Sequence, residues 1–352
     1  MGPSILWSFL EPRLTMKTNR AVTSASLILG RVMKLLSPAG PRARLSILTY
    51  HRVLPEADPM LPTEPDAEAF SWQMQLVARH FTVLHLSEAV ERLNDGSLPS
   101  RALSITFDDG YANNASLALP ILQEQDLPAT FFVASGYLNN RRIMWNDAII
   151  EAVRRMSGKM LDLSHLGLGT LATENMEQRR NAAESVLAKL KYLPQEKRDD
   201  RVRAITEAGG ASLPADLMMS QAEVRTLSNA GMEIGAHTVS HPILARLDDE
   251  KARMEIASSK QQLEEIILKP VRLFAYPNGK PGTDYNLRHV RMAQELGFTA
   301  AVSTAWGAAR ASTDFYQLPR FTPWDKTSTR FLIRMIQNYL RRRPGISSSQ
   351  ST

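Results

Sequence analysis

The chain of 352 residues contains no cysteine. Disulfide scaffolds and thiolate metal sites are therefore excluded, because both need the sulfur. Aromatic residues make up only 7% of the chain, which argues against the interleaved rings and cations of a nucleic-acid surface. No apolar run approaches the roughly 18 residues of a membrane-spanning helix. Proline (20) and glycine (18) are too sparse for a collagen-like or low-complexity chain. What is present is a hydrophobic fraction of 43% beside 22% charged residues. This is the composition of a soluble-type globular protein with room for one large domain or two ordinary ones.

The net charge of +6 gathers at the ends. Arg13, Lys17, Arg20, Arg31, Lys34, Arg42 and Arg44 crowd the front, and Arg341 to Arg343 the back. Between them the charges nearly cancel. Residues 327–343 form a basic amphipathic helix, with Phe331, Leu332, Met335, Ile336, Tyr339 and Leu340 spaced for one face. That face either packs on the domain or makes a peripheral contact with an anionic membrane. Ala21 to Gly30 is mildly apolar, but Thr23, Ser24 and Ser26 interrupt it and no small-residue cleavage site follows. The reading is an N-terminal appendage over residues 1–44, a disordered serine-rich tail over 344–352, and a cytoplasmic or membrane-peripheral location.

From residue 45 short apolar runs alternate with helical patterns. Leu45–Tyr50, Ala102–Phe107, Ala129–Ala134, Met232–Ala236, Arg272–Tyr276 and Thr299–Ser303 read as strands. Strands spaced by helices imply right-handed βαβ units and a parallel sheet, open or closed into a barrel. Residues 139–229 break this rhythm with charge-dense helical patterns and are expected to form an inserted helical subdomain.

Candidate chemistry sits at the strand ends. Asp108 and Asp109 follow an apolar run and precede Gly110, which permits a sharp turn. Neighbouring carboxylates at such a turn point in different directions, so one can bind a metal while the other stays free to take a proton. His237 and His241 follow another strand, and imidazoles four apart share one face of a helical turn and can grip one cation. His51 and the Tyr276-Pro277-Asn278-Gly279 run end two further strands. In an α/β barrel all these ends open on one face. Two histidines and a carboxylate leave positions open on Zn²⁺ for water and substrate, so the residues alone point to a metal hydrolase.

Thr106-Phe107-Asp108-Asp109-Gly110, His237-Thr238-Val239-Ser240-His241 and Phe274-Ala275-Tyr276-Pro277-Asn278-Gly279 occur in the order found in polysaccharide deacetylases. The chain resembles that family (carbohydrate esterase family 4, the NodB-homology domain) over roughly residues 45–321. The resemblance implies a distorted (β/α) barrel, bounded at about 45–326. It also implies removal of acetyl groups from N-acetylated sugars of a polysaccharide with one divalent metal, zinc suiting the donor set. Carried over by position, Asp109, His237 and His241 would be the ligands and Asp108 the general base. The backbone N–H of Asn278 would meet the oxyanion. Tyr276 and Trp145 are candidate substrate contacts.

Two departures stand out. Ala275 replaces an arginine that pairs with the catalytic aspartate in the family, leaving Arg320 as an alternative partner or a barrel-closing salt bridge. Arg272 would lie on the opposite face of its strand from residue 275. No histidine follows His289, so the family's usual general acid is missing. His51 is the candidate acid, against a structural or substrate-contact role. A catalytically impaired sugar-binding member of the fold, and an amide or ester hydrolase with a non-sugar substrate, remain alternative readings.

Overall fold

The computed structural model describes residues 24–341, apart from Arg141 and Ala211. In chain order the first half contains α1 (Ser24–Leu36), β1 (Ser46–Tyr50), α2 (Ala67–His80), β2 (Thr82–Val83), α3 (Leu86–Asn94), β3 (Ala102–Phe107), α4 (Leu119–Glu124) and β4 (Thr130–Val133). Then follow α5 (Trp145–Arg155), β5 (Met160–Leu163), β6 (Gly169–Ala172), α6 (Met176–Leu190) and α7 (Gln195–Gly209). The last part holds α8 (Gln221–Asn229), β7 (Glu233–Ala236), α9 (Asp249–Ile267), β8 (Leu273–Ala275), α10 (Leu287–Glu295), β9 (Ala300–Val302) and α11 (Ser328–Leu340).

The central sheet is parallel throughout, in the order β1-β3-β4-β7-β8-β9, with β2 beside β3. Every residue of β1, β3 and β4 is buried. Helices therefore cover one face and side chains fill the other, which is why these strands read as continuous apolar runs. The sheet curls, and residues 318–321 bridge its two edges. Leu318 pairs with Val302 beyond one edge, and Phe321 with Leu48 of the other. Leu318 N–H donates to the Ala301 carbonyl at 2.9 Å and Phe321 N–H to the Ile47 carbonyl at 3.1 Å. The result is the distorted (β/α) barrel expected from the sequence.

The insert differs in detail from the sequence expectation. Its helices α5, α6 and α7 build a separate apolar core around Ile149, Val153, Val186, Leu190 and Ile205. It also holds an antiparallel β5–β6 hairpin. Four residues per strand are too few for period-two patterning to stand out. In addition α8, which falls within the 139–229 bounds expected for the insert, packs on β7 and α9 as a barrel helix. Its capping box, Ser220 with Glu223, fixes where it starts.

The ends differ too. Residues 24–44 do not hang outside the fold: α1 packs on α11, and Met33 is buried in the main core. Phe331, Leu332, Met335 and Tyr339 of α11 are buried, so the face considered for a membrane contact is turned into the protein. Residues 1–23 and 342–352, the latter including the serine-rich tail over 344–352, lie outside the described residues. Among the described residues no helix is long and apolar enough to cross a membrane.

Candidate active site

Parallel strands deliver their C-terminal ends to one rim. In the register Tyr50 pairs with Phe107, which sets His51 beside Asp108, and the Asp108 N–H donates to the Tyr50 carbonyl at 2.9 Å. His237 N–H donates to the Val133 carbonyl at 3.2 Å, tying the next strand end to the same rim. A cavity of about 390 Å³ opens there, lined by His51, Asp108, Asp109, His237 and His241. Trp145, Asp147 and Lys191 of the insert line it as well.

The backbone at the rim takes unusual shapes. Asp109, Thr238, His241 and Asn278 all have positive φ, at 76°, 63°, 53° and 59°. Such conformations cost on the order of 1–3 kcal/mol each and persist only where the surroundings enforce them. At Asp109 the left-handed turn separates two adjacent carboxylates. Asp108 turns to Arg320, and Asp109 to the histidines.

The 237–241 segment is an irregular loop, not the helical turn expected from the spacing of its histidines. Glu255 on α9 holds it, accepting from the N–H groups of Val239 and Ser240 at 2.9 and 2.8 Å and from the Ser240 hydroxyl at 2.6 Å. Thr238 Oγ1 accepts from the His241 N–H at 3.1 Å. A buried-loop solution of this kind leaves no periodic trace in sequence.

Asp109 Oδ1 lies 3.4 Å from Nε2 of His237 and 3.4 Å from Nε2 of His241. His237 Nδ1 is 2.7 Å from the Ala275 carbonyl and must donate to it. In the neutral ring this leaves a lone pair on Nε2, facing the carboxylate. Burial pushes the His241 imidazole down to about 4, with Asp109 resisting and His237 assisting. Burial also opposes ionisation of Asp109, but His241, His237 and His51 outweigh it and hold its carboxyl below the usual range. Three acceptor atoms thus converge, and Asp109 Oδ1 is buried with no hydrogen-bond partner among the described residues. Two imidazole nitrogens and one carboxylate oxygen fit a divalent cation such as Zn²⁺.

Arg320 grips the other aspartate. Its Nη1 and Nη2 donate to the two oxygens of Asp108 at 2.8 and 2.7 Å. Nη1 also donates to Thr106 Oγ1 at 3.1 Å, and Nε to the Ser303 carbonyl at 3.2 Å. Burial works against the Asp108 charge, yet Arg320 and then His237 overcome it and lower its pKa. Arg272 is exposed. Because Arg320 sits in the segment that joins the sheet edges, it pairs with Asp108 and closes the barrel at once.

His51 is half-buried on the cavity wall. Burial lowers its pKa, but Asp109, Glu64 and Asp108 outweigh this and raise it above the ordinary value. Asn278 lines the cavity, and its N–H finds no acceptor among the described residues. Trp145 lies on the wall with the Arg198 guanidinium 5.1 Å from its ring. Tyr276 also lines the cavity, while its largely buried ring stacks on Tyr285 at 3.8 Å and its hydroxyl donates to the Tyr316 carbonyl at 3.0 Å.

Sequence reasoning missed one network. Tyr111 donates its hydroxyl to buried Asp147 at 2.9 Å, and the Arg52 guanidinium lies 3.7 Å from that carboxylate and 4.9 Å from the Tyr111 ring. Burial raises Asp147 to about 6, with Arg52 and Tyr111 opposing and Asp109 adding. From sequence Asp147 looks like an ordinary acid in the first turn of α5.

A family model for polysaccharide deacetylases matches residues 95–301. The chain belongs to that family. A curated Bacillus subtilis (strain 168) protein named for the same activity, YxkH, is 21% identical over 279 residues, which is 79% of this chain and 71% of the relative. Among solved structures, the deacetylase PplD of Streptococcus pyogenes, in complex with acetate, superposes with a TM-score of 0.56 at 19% identity. It covers 84% of this chain and 98% of its own. IcaB from Ammonifex degensii gives 0.53 at 18% identity, covering 86% and 98%. These likenesses establish the fold.

Proposed function

We propose that this chain is a metal-dependent hydrolase that removes acetyl groups from N-acetylated sugars of a polysaccharide. The observation that carries the reading is the division of two adjacent carboxylates within one cavity. Asp108 is clamped by Arg320, and Asp109 faces two imidazoles. Family membership supplies the substrate class, and a deacetylase solved with acetate shares the fold.

Asp109, His237 and His241 would hold one divalent ion, for which zinc is the best match to the donors. When bound, it supplies Lewis acidity and makes a water more acidic. Asp108, kept ionised by Arg320, takes a proton from the water that adds to the acetamide carbonyl. The Asn278 N–H donates to the oxygen that gains negative charge. As the C–N bond breaks, His51 gives a proton to the leaving sugar amine, and acetate departs.

Ala275 at the family's arginine position does not weaken this reading, because Arg320 delivers the same charge from another part of the chain. The test is acetate release from N-acetylglucosamine oligomers by the metal-loaded protein, with Asp108→Asn as control. Turnover should fall by on the order of 10²–10⁴-fold in the variant. Oligomer binding without acetate release by the unaltered protein would instead identify a sugar-binding member of the fold.

A further inference from the structure

A second cavity, of about 470 Å³, adjoins the catalytic one, and Leu61 and Glu64 line both. Its remaining surface combines flat apolar groups, among them Trp72, Trp324, Pro62 and Pro323, with the acceptor carboxylates of Asp58, Asp66 and Glu68. Trp324 is 50% exposed. An indole on a surface is ordinarily free to turn, but this one is held. The Arg334 guanidinium lies 4.4 Å from its ring centroid, and buried Asp325 fixes Arg334 through two hydrogen bonds. Trp72 is anchored edge-on against Phe331, with centroids 6.2 Å apart. Holding a ring in place before a ligand arrives lowers the ordering cost of binding. A pyranose suits such a platform, because its C–H face is apolar while its hydroxyls stay in water.

We propose that this groove is a second sugar subsite. It binds a neighbouring N-acetylglucosamine unit of the same polymer whose acetamide occupies the catalytic cavity, with Trp324 stacking on that unit's ring. Continuity through Leu61 and Glu64 is what assigns the occupant: a chain leaving the catalytic cavity past these residues runs into the groove. The inference rests on the polysaccharide reading above.

The experiment measures binding of the N-acetylglucosamine dimer and hexamer by calorimetry, on the full chain and on Trp324→Ala and Trp324→Phe. The hexamer should bind the unaltered protein more tightly than the dimer. Trp324→Ala should weaken the hexamer on the order of tenfold, or about 1.4 kcal/mol, and erase most of the length preference. Trp324→Phe, which keeps a ring, should restore part of it. Thermal unfolding checks that both variants are folded. Equal affinity for the two oligomers, undiminished hexamer affinity in Trp324→Ala, or no binding of either oligomer would each overturn the subsite. Acetate release from the same hexamer separates the two readings. Binding that depends on Trp324 without release refutes the hydrolase and leaves the subsite standing. Release with no dependence on Trp324 does the reverse.

Discussion

Replacing Arg320 by Met removes one charge from an enclosed pair. The side chains are 1% exposed at Arg320 and 5% at Asp108. Met has a similar reach but no donor, so both hydrogen bonds to Asp108 vanish with those to Thr106 and Ser303. What remains is a buried carboxylate that has lost its bidentate partner. Breaking a buried pair from one side costs about 3–5 kcal/mol. At about 2–4 °C per kcal/mol for a domain of this size, the melting temperature should fall by roughly 6–20 °C. The assay is thermal unfolding at pH 7 of Arg320→Met, Asp108→Asn and the double variant. The double variant should be more stable than Arg320→Met alone, because no unpaired charge is left, with a coupling of about 2 kcal/mol or more. A melting temperature within about 2 °C of the unaltered protein, or effects that add within about 0.5 kcal/mol, would refute the argument.

Three further outcomes are expected. His241→Ala should lose the stoichiometric metal, read by elemental analysis, while the fold survives, since a rim site adds little to the core; one ion per chain in the variant would remove His241 from the ligand set. His51→Gln should slow release of a sugar amine by on the order of 10²–10⁴-fold but slow an aryl acetate far less, because that leaving group departs without a proton. Equal losses would make His51 a structural residue. Asp147, raised to about 6 by burial, stays protonated in the folded chain where the unfolded chain already ionises it. Its contribution to stability is thus full below about pH 4 and lost as pH rises through 6. Asp147→Asn should therefore gain stability relative to the unaltered protein between pH 4 and pH 7, by at most on the order of 3 kcal/mol. A pH-independent difference would show that Asp147 titrates normally.

The barrel was legible because its strands are fully buried and so write themselves as apolar runs with chemistry at their ends. Asp109, His237 and His241 stood out because each follows such a run. The partner of Asp108 was left open between two roles, since an isolated Leu-Pro-Arg-Phe carries no periodic signal and its place comes from hydrogen bonds across the gap between β9 and β1. Tyr276 reaches the cavity from its strand end as expected, but its stacking on Tyr285 comes from tertiary packing that the sequence does not write. Glu255 and Asp147 look like ordinary helix acids until tertiary contact turns them inward. The N-terminal segment was set outside the fold because its mildly apolar run ends in a Ser-Pro-Ala-Gly-Pro loop ahead of the first strand, and only contact with α11 shows that it packs.

The closing segment also orders events during synthesis. Asp109, His237 and His241 are all translated by residue 241, but Arg320 follows on the order of ten seconds later at ordinary elongation rates. Until residues 318–321 dock, β1 and the later-made β9 are bare edges, and Asp108 lacks the Arg320 guanidinium that favours its burial. The step that joins the two edges of the sheet thus also brings Asp108 the guanidinium that pairs with it.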